Sequence, residues 1–524
     1  MTCAVWQVPR GGFSAARRRT SHTTVWLCLL GMMANVSVFA DTVIVNARII
    51  DGSGQPAMAG GVRISGDRIS AVGAVKPGVD DEVIDAQGLT LVPGFIDTHS
   101  HSDRLILSER DALAKITQGI TTVVVGQDGD SPFPLAQFYA ALDAAPAKVN
   151  VAAFVGHNTL RDQVMGADFR RIASPSEMAA MAALLEQELD AGALGLSTGL
   201  EYEPGIHSER SEVLQLAQLA ADRDGRYISH VRSEDRWFED AIDEIIEVGR
   251  VTGMPVQISH LKLAMTRLWG TADTLLARLN AAREEGIDLT ADIYPYTYWQ
   301  SNMMVLLPER DPTDLAAIDF VMAELAPPEG IIFTYFPAEP DYVGRTLLEI
   351  AALRGETPSV AFSELAKLSI AHETATGESG DMIIGTSMQE DDIAALLTWP
   401  HANICTDGSL RDRHPRGAGA FPRVLGRYVR ERGVLDWEDA IHKMTALAAA
   451  HMGFTERGTI APGMMADLVL LDTETVLDRA TTSEPFAPAA GIHSVWVGGE
   501  QVLKAGSPTG AFPGRVIRRA APQT

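Results

Sequence analysis

Four histidines and one aspartate, each at the end of a short apolar run, carry the chemistry of this 524-residue sequence. The runs end Phe95-Ile96-Asp97-Thr98-His99-Ser100-His101, Tyr227-Ile228-Ser229-His230, Gln257-Ile258-Ser259-His260 and Ile404-Cys405-Thr406-Asp407-Gly408. On a strand, positions i and i+2 share a face, so His99 and His101 would project together and chelate one ion. A lone His-x-His is a weak signal; its recurrence at other run ends makes coincidence a poor explanation. Imidazole donors suit Zn²⁺ and related ions. An Asp before Gly can simply cap a turn. Beside four histidines, Asp407 reads instead as a catalytic carboxylate. His207, His372, His442, His451 and His493 lie off the run ends and read as structural or solvated. His401 begins a run, at the wrong end, and His157 either supports the site or fills the core.

Elements of one kind must position these residues. Apolar runs recur at 91–97, 121–126, 150–156, 193–198, 227–230, 255–260, 288–294 and 401–406, with helical patterns between most of them. Ser174-Pro175-Ser176-Glu177 is a helix start: a Ser cap, Pro at the first position and Glu at the third. Repeated β-then-α units imply parallel strands buried on both faces. Eight of them fit an α/β fold, a (β/α)8 TIM barrel over 91–457, with chemistry at the C-terminal strand ends. The stretch from Thr297 to Pro400 is too long for one crossover. An inserted subdomain, about 300–395, is expected between strands seven and eight. Residues 41–90 and 458–524 read as short strands with tight turns and would form one small discontinuous β-domain.

Composition narrows the function classes. At 46% hydrophobic and 21% charged, the chain is neither disordered nor a polytopic membrane protein. A formal charge of −25 argues against a nucleic-acid partner, and it does not exclude an anionic ligand, since a local cation in a cleft can override the global sign. Arg17-Arg18-Arg19, the apolar stretch Val25 to Phe39 and Val38-Phe39-Ala40 form a signal-peptide pattern, with cleavage expected after Ala40. The stretch is short for a membrane anchor, which needs about 20 residues. A secreted or periplasmic protein without a stable anchor is therefore expected. Cys3 and Cys28 leave with the leader, so Cys405 alone stays and no disulfide framework is possible. Oligomeric state is not legible.

The run ends, with the segments Gly119 to Gly126, Gly192 to Leu200, His230 to Glu234, Ile258 to Lys262, Asp292 to Tyr296, Thr406 to Gly408 and His414 to Gly426, resemble the amidohydrolase superfamily. Within it they are most similar to the D-aminoacylases, the N-acyl-D-amino-acid deacylases. The resemblance implies a metal-dependent hydrolase that cleaves N-acyl-D-amino acids to a carboxylate and a free D-amino acid. It implies one or two divalent ions, zinc foremost, with His99 and His101 at one position and His230 and His260 at the other. The family completes the second position with a Cys; here Asp128 stands where that Cys is expected, and a carboxylate is a competent, possible bridging ligand. The run Gly192 to Leu200 holds no Lys for the carboxylated bridge of other superfamily members, and Glu201 just beyond it is a fallback ligand. Arg416, Lys262 and Tyr294 would bind the substrate, Arg416 as a bidentate clamp on its carboxylate. Ser301 is displaced by about one position from the family's Ser and is carried over weakly. The alternatives are a related hydrolase of cyclic amides or dipeptides, dihydroorotase-like or isoaspartyl-dipeptidase-like, and a non-catalytic metal- or ligand-binding relative.

Overall fold

Eight short parallel strands form the centre of the computed structural model, which describes residues 40–411 and 413–519. The leader expected over residues 1–40 lies, apart from Ala40, outside the described residues. In chain order the strands are Phe95–Asp97, Ile120–Val125, Asn150–Ala153 continued by Val155–Gly156, Gly195–Gly199, Arg226–His230, Val256–Ile258, Leu289–Ile293 and Ala402–Ile404. Each pairs in parallel with the next. The ring closes beyond strand eight, where Asp407 N donates to His99 O at 2.9 Å and Ser100 bridges Gly408. The architecture is a (β/α)8 barrel.

Burial on two faces explains why the strands read as unbroken apolar runs. In strand two, Val123 and Val125 join the core shared with the helices, while Val124 joins a separate cluster with Ala152, Ile228 and Met452. Helix Pro175–Asp190 shows how local sequence starts the outer layer. Ser174 Oγ accepts from Glu177 N, and Glu177 accepts from Ser174 N at 2.7 Å. Loss of such a cap costs about 1 kcal/mol. The helix then buries Met181, Leu185 and Leu189.

The chain leaves the barrel between strands seven and eight. Tyr298–Ser301, Ile331–Tyr335 and Met382–Thr386 make an antiparallel sheet with Met382–Thr386 in the middle. Helices Leu315–Glu324, Leu347–Arg354 and Pro358–Thr376 cover it, around a core that includes Met303, Phe333, Ile350 and Phe362. This insertion ends near Thr386, short of the expected residue 395. Helix Glu390–Thr398 instead buries Ile393, Leu396 and Leu397 in the barrel core.

Strands from both chain ends form one nine-stranded sheet. Thr90–Pro93 joins the halves, parallel to Thr42–Ile49 and antiparallel to Leu468–Leu471. The C-terminal tail departs from the expectation that it ends in this sheet. Val516 bridges Val151, and Ile517 N donates to Val151 O at 2.8 Å, at the start of strand three and opposite the strand ends that carry the histidines. Among the described residues no helix is long and apolar enough to cross a membrane.

Candidate active site

At the C-terminal mouth of the barrel, the ligand atoms of His99, His101, Asp128 and Asp407 lie within 4.8 Å of one another, as do those of Asp128, His230 and His260. Asp128, from the loop after strand two, belongs to both groups. Its Oδ1 is 3.3 Å from His99 Nε2 and 3.4 Å from His260 Nε2, and its Oδ2 is 3.3 Å from His101 Nε2. Asp407 Oδ1 is 3.5 Å from His99 Nε2 and 3.3 Å from His101 Nε2. His230 Nδ1 faces His260 Nε2 at 3.0 Å. Strand one ends at Asp97 and the chain bends at Thr98 and His99, so regular alternation does not place the His-x-His pair; the bonds from His101 N to Gly408 O and from Asp407 N to His99 O fix the segment there.

These residues fit a cation. His99 is fully buried, and among the described residues neither its ring nitrogens nor Asp128 Oδ1 has a hydrogen-bond partner. Buried polar atoms left so cost about 1–3 kcal/mol each. Converging imidazole nitrogens and carboxylate oxygens are the donor set that Zn²⁺ takes.

Carboxylates behind the His230 and His260 imidazoles orient them, as is usual for metal-ligating histidines. Glu201 Oε2 is 3.0 Å from His230 Nε2, and the ligand atoms of Glu201, His230 and Glu234 form a third group within 4.8 Å of one another. Glu234 Oε1 is 2.9 Å from His260 Nδ1. Asp292 Oδ1 is 3.6 Å from His99 Nδ1 and accepts from His260 N at 2.7 Å, and Asp292 Oδ2 accepts from Gln257 at 2.7 Å. Glu234 and Asp292 lie in segments already singled out, yet no role could be read for them there. An Asp inside the fully buried strand Leu289–Ile293 was the one available signal.

Electrostatics follow from this crowding. Burial pushes the His99 imidazole down, but Asp128, Asp292 and Asp407 raise it well above its ordinary value. Burial and the Lys262 ammonium lower His260, while Glu234, Asp407 and Asp128 carry it up to about 9. Burial alone would raise Asp407; Arg416, His260 and His99 hold it well below the usual carboxylate range.

Cations and hydroxyls line the other side. Arg416 Nη1 donates to Asp407 Oδ2 at 2.6 Å. The Arg416 guanidinium carbon lies 4.9 Å, and Lys262 Nζ 5.7 Å, from the centre of the Tyr294 ring. The Tyr294 hydroxyl is buried without a partner among the described residues, and burial keeps it protonated. Strand six stops at Ile258, so Lys262 is not placed by strand alternation; it still reaches His260 Nδ1 at 2.8 Å and bonds Glu234. Tyr202, which sequence reasoning missed, packs its ring 4.4 Å from that of His230, and burial with the surrounding carboxylates keeps its proton on.

The remaining candidates lie elsewhere. Ser301 pairs with Ile383 in the insertion sheet. His157 bonds Glu212 at 2.8 Å, in a buried group with Arg161. His207 contacts Glu203, His442 bonds Gly52 O and His451 bonds Asn403.

Residues 82–318 and 377–503 match the model of the amidohydrolase family. The N-acyl-D-glutamate deacylase of Alcaligenes xylosoxydans xylosoxydans is 37% identical over 92% of this chain and 97% of its own length. The D-aminoacylase of the same organism is 35% identical over 92% of this chain and 98% of its own. The crystal structure of N-acyl-D-glutamate deacylase from Bordetella bronchiseptica, complexed with zinc and a phosphonate mimic of the tetrahedral intermediate, is 36% identical. It superposes with a TM-score of 0.80 over 91% of this chain and 99% of that one.

Proposed function

The chain belongs to the amidohydrolase family, among its N-acyl-D-amino-acid deacylases, and on that footing we propose that it hydrolyses the amide of an N-acyl-D-amino acid to a carboxylate and a free D-amino acid. One observation carries the reading furthest: Asp407 presents Oδ1 to the His99–His101 pair while Arg416 holds its Oδ2. A proton-handling carboxylate is thereby fixed between a cation site and a cationic clamp.

His99, His101 and Asp407 with Asp128 would hold one ion, and Asp128, His230 and His260 a second. A divalent ion such as zinc supplies Lewis acidity to the scissile carbonyl and the attacking water. Asp407, kept ionised by Arg416, takes the proton of that water on Oδ1 and returns it to the amine nitrogen as the C–N bond breaks. Arg416, the Tyr294 hydroxyl and Lys262 supply donors for the substrate carboxylate. Tyr202 keeps a second hydroxyl donor at the mouth.

The test is a paired screen of N-acetyl-D and N-acetyl-L amino acids, with metal content measured on the same sample. Turnover of the D series alone by metal-containing protein is expected. Equal turnover of the L series overturns the stereochemical assignment, and a metal-loaded protein inert across the N-acyl panel overturns catalysis. Export rests on the Arg17–Arg19 leader; N-terminal sequencing should read from Asp41, and a mature chain that retains Met1 defeats it.

A further inference from the structure

Lys115 lies outside the barrel ring, in the short helix Leu113–Ile116, yet it is completely buried. Its Nζ donates to Asp97 Oδ2 at 3.0 Å, to Thr406 Oγ1 at 2.7 Å and to Gly408 O at 2.9 Å. An ammonium has three donors, and here each one is used. Asp97, the last residue of strand one, is equally buried. Its Oδ1 accepts from Thr406 N at 2.8 Å and its Oδ2 from Thr406 Oγ1 at 2.6 Å. Thr406 Oγ1 also accepts from Gly408 N at 3.2 Å. Apart from the ion pair itself, every one of these bonds falls on the residue before or after Asp407.

Asp407 needs such support. Its φ of 47° lies in the left-handed region, which costs a non-glycine residue about 1–3 kcal/mol and persists only where the surroundings enforce it. A buried ion pair is an expensive way merely to join strand one to strand eight, since a well-packed apolar pair often serves as well. Backbone bonds from Asp407 N to His99 O and from His101 N to Gly408 O already make that join.

We propose that Lys115 and Asp97 are positioning residues that act through Thr406 to hold the Asp407 carboxylate where it can take the proton and help hold the cation. The proposal rests on the assignment of Asp407 above, and its test has a readout that does not depend on turnover. The variants are Thr406→Val, Thr406→Ser, and the double variant Lys115→Met/Asp97→Leu, which refills the space with apolar atoms. For each, Tm, kcat and KM across pH, and Zn²⁺ retention by the holoenzyme under a competing chelator are measured.

Thr406→Val should lower kcat about 100-fold, the low end for a general base, with KM within about threefold. It should also shift the acid limb of the pH–rate profile and weaken Zn²⁺ retention about tenfold, as loss of a supporting bond does. Thr406→Ser, which keeps the hydroxyl, should restore all three. The double variant should approach the wild-type Tm and still lack kcat and Zn²⁺ retention. If Thr406→Val keeps both, or the double variant recovers both along with its Tm, the pair is only a structural tie and the proposal is overturned. If the wild type hydrolyses no N-acyl-D-amino acid, the deacylase reading fails, while Zn²⁺ retention still decides whether Lys115 and Asp97 position Asp407.

Discussion

Arg416→Ala removes two contributions at once, and a pair of substrates separates them. The guanidinium is buried with Nη1 2.6 Å from Asp407 Oδ2, so it restrains the proton-handling carboxylate. It also lies against Tyr294, whose hydroxyl has no partner among the described residues and is proposed to meet the substrate carboxylate. Breaking a buried ion pair by deleting one partner costs about 3–5 kcal/mol. That cost falls on stability, while the lost restraint on Asp407 slows every substrate, whatever it carries. A hydrogen bond to a charged group contributes about 1.5–3 kcal/mol, which is roughly a 10- to 150-fold factor. The assay is a square: wild type and Arg416→Ala, each with an N-acyl-D-amino acid and with its α-carboxamide, and kcat/KM for all four. If Arg416 grips the carboxylate, the acid loses that 10- to 150-fold beyond what the amide loses. Arg416→Lys keeps the charge without the fork and should recover part of the difference. Equal losses in both columns refute the clamp and leave Arg416 as a partner of Asp407 rather than of the substrate.

Asp128 joins both donor groups, so Asp128→Ala should lower bound metal by about one ion per chain while Asp128→Cys retains it; unchanged stoichiometry in the Ala variant, measured by elemental analysis, would contradict the sharing. Glu234→Gln takes the carboxylate from His260 Nδ1 and should weaken metal binding about 10- to 100-fold in chelator competition; unaltered affinity would show that Lys262 alone orients the ring. Burial in the insertion raises Asp381 from 3.8 to about 6, although Ser369 and Met303 N donate to it. Between those values the folded state binds the extra proton, so stability falls as pH rises through that window, by about 3 kcal/mol. Asp381→Asn should flatten the slope in denaturant unfolding at pH 4 and pH 7, and a slope unchanged by the substitution would count against Asp381 as its source.

The histidines and Asp407 were legible because donors at strand ends follow consecutive apolar residues, a pattern written locally. The barrel was legible for the same reason, since strands buried on both faces read as apolar runs. What escaped depends on pairing between distant segments. Lys115 and Thr406 stand 291 residues apart, and nothing around Lys115 announces a buried ammonium. Arg416 could be read as a clamp, but its bond to Asp407 could not. The end of the insertion was misplaced because Ile393, Leu396 and Leu397 have helical spacing that does not say which core they join. Asp292 left a trace that could have been weighed, an acid inside an apolar strand.

Three site residues hold left-handed backbone: Asp128 at φ 54°, His260 at 35° and Asp407 at 47°. Regular strands would send alternate side chains inward and outward and carry the chain past the mouth. A single left-handed step turns it aside at once and brings side chains from strands two, six and eight to one point. Asp and His are among the residues that accept this region most readily, at about 1–3 kcal/mol each. Each step is braced by another strand. Asp407 N donates to His99 O at 2.9 Å, and His260 N donates to Asp292 Oδ1 at 2.7 Å. The Asp128 carbonyl lies so close to Gly199 that a Cβ there would come within 1.9 Å of its oxygen. Half of the six residues in the two donor groups that share Asp128 are therefore strained, each following one strand and enforced from another, so a substitution at Gly199 or Asp292 reaches the cation site without touching a ligand.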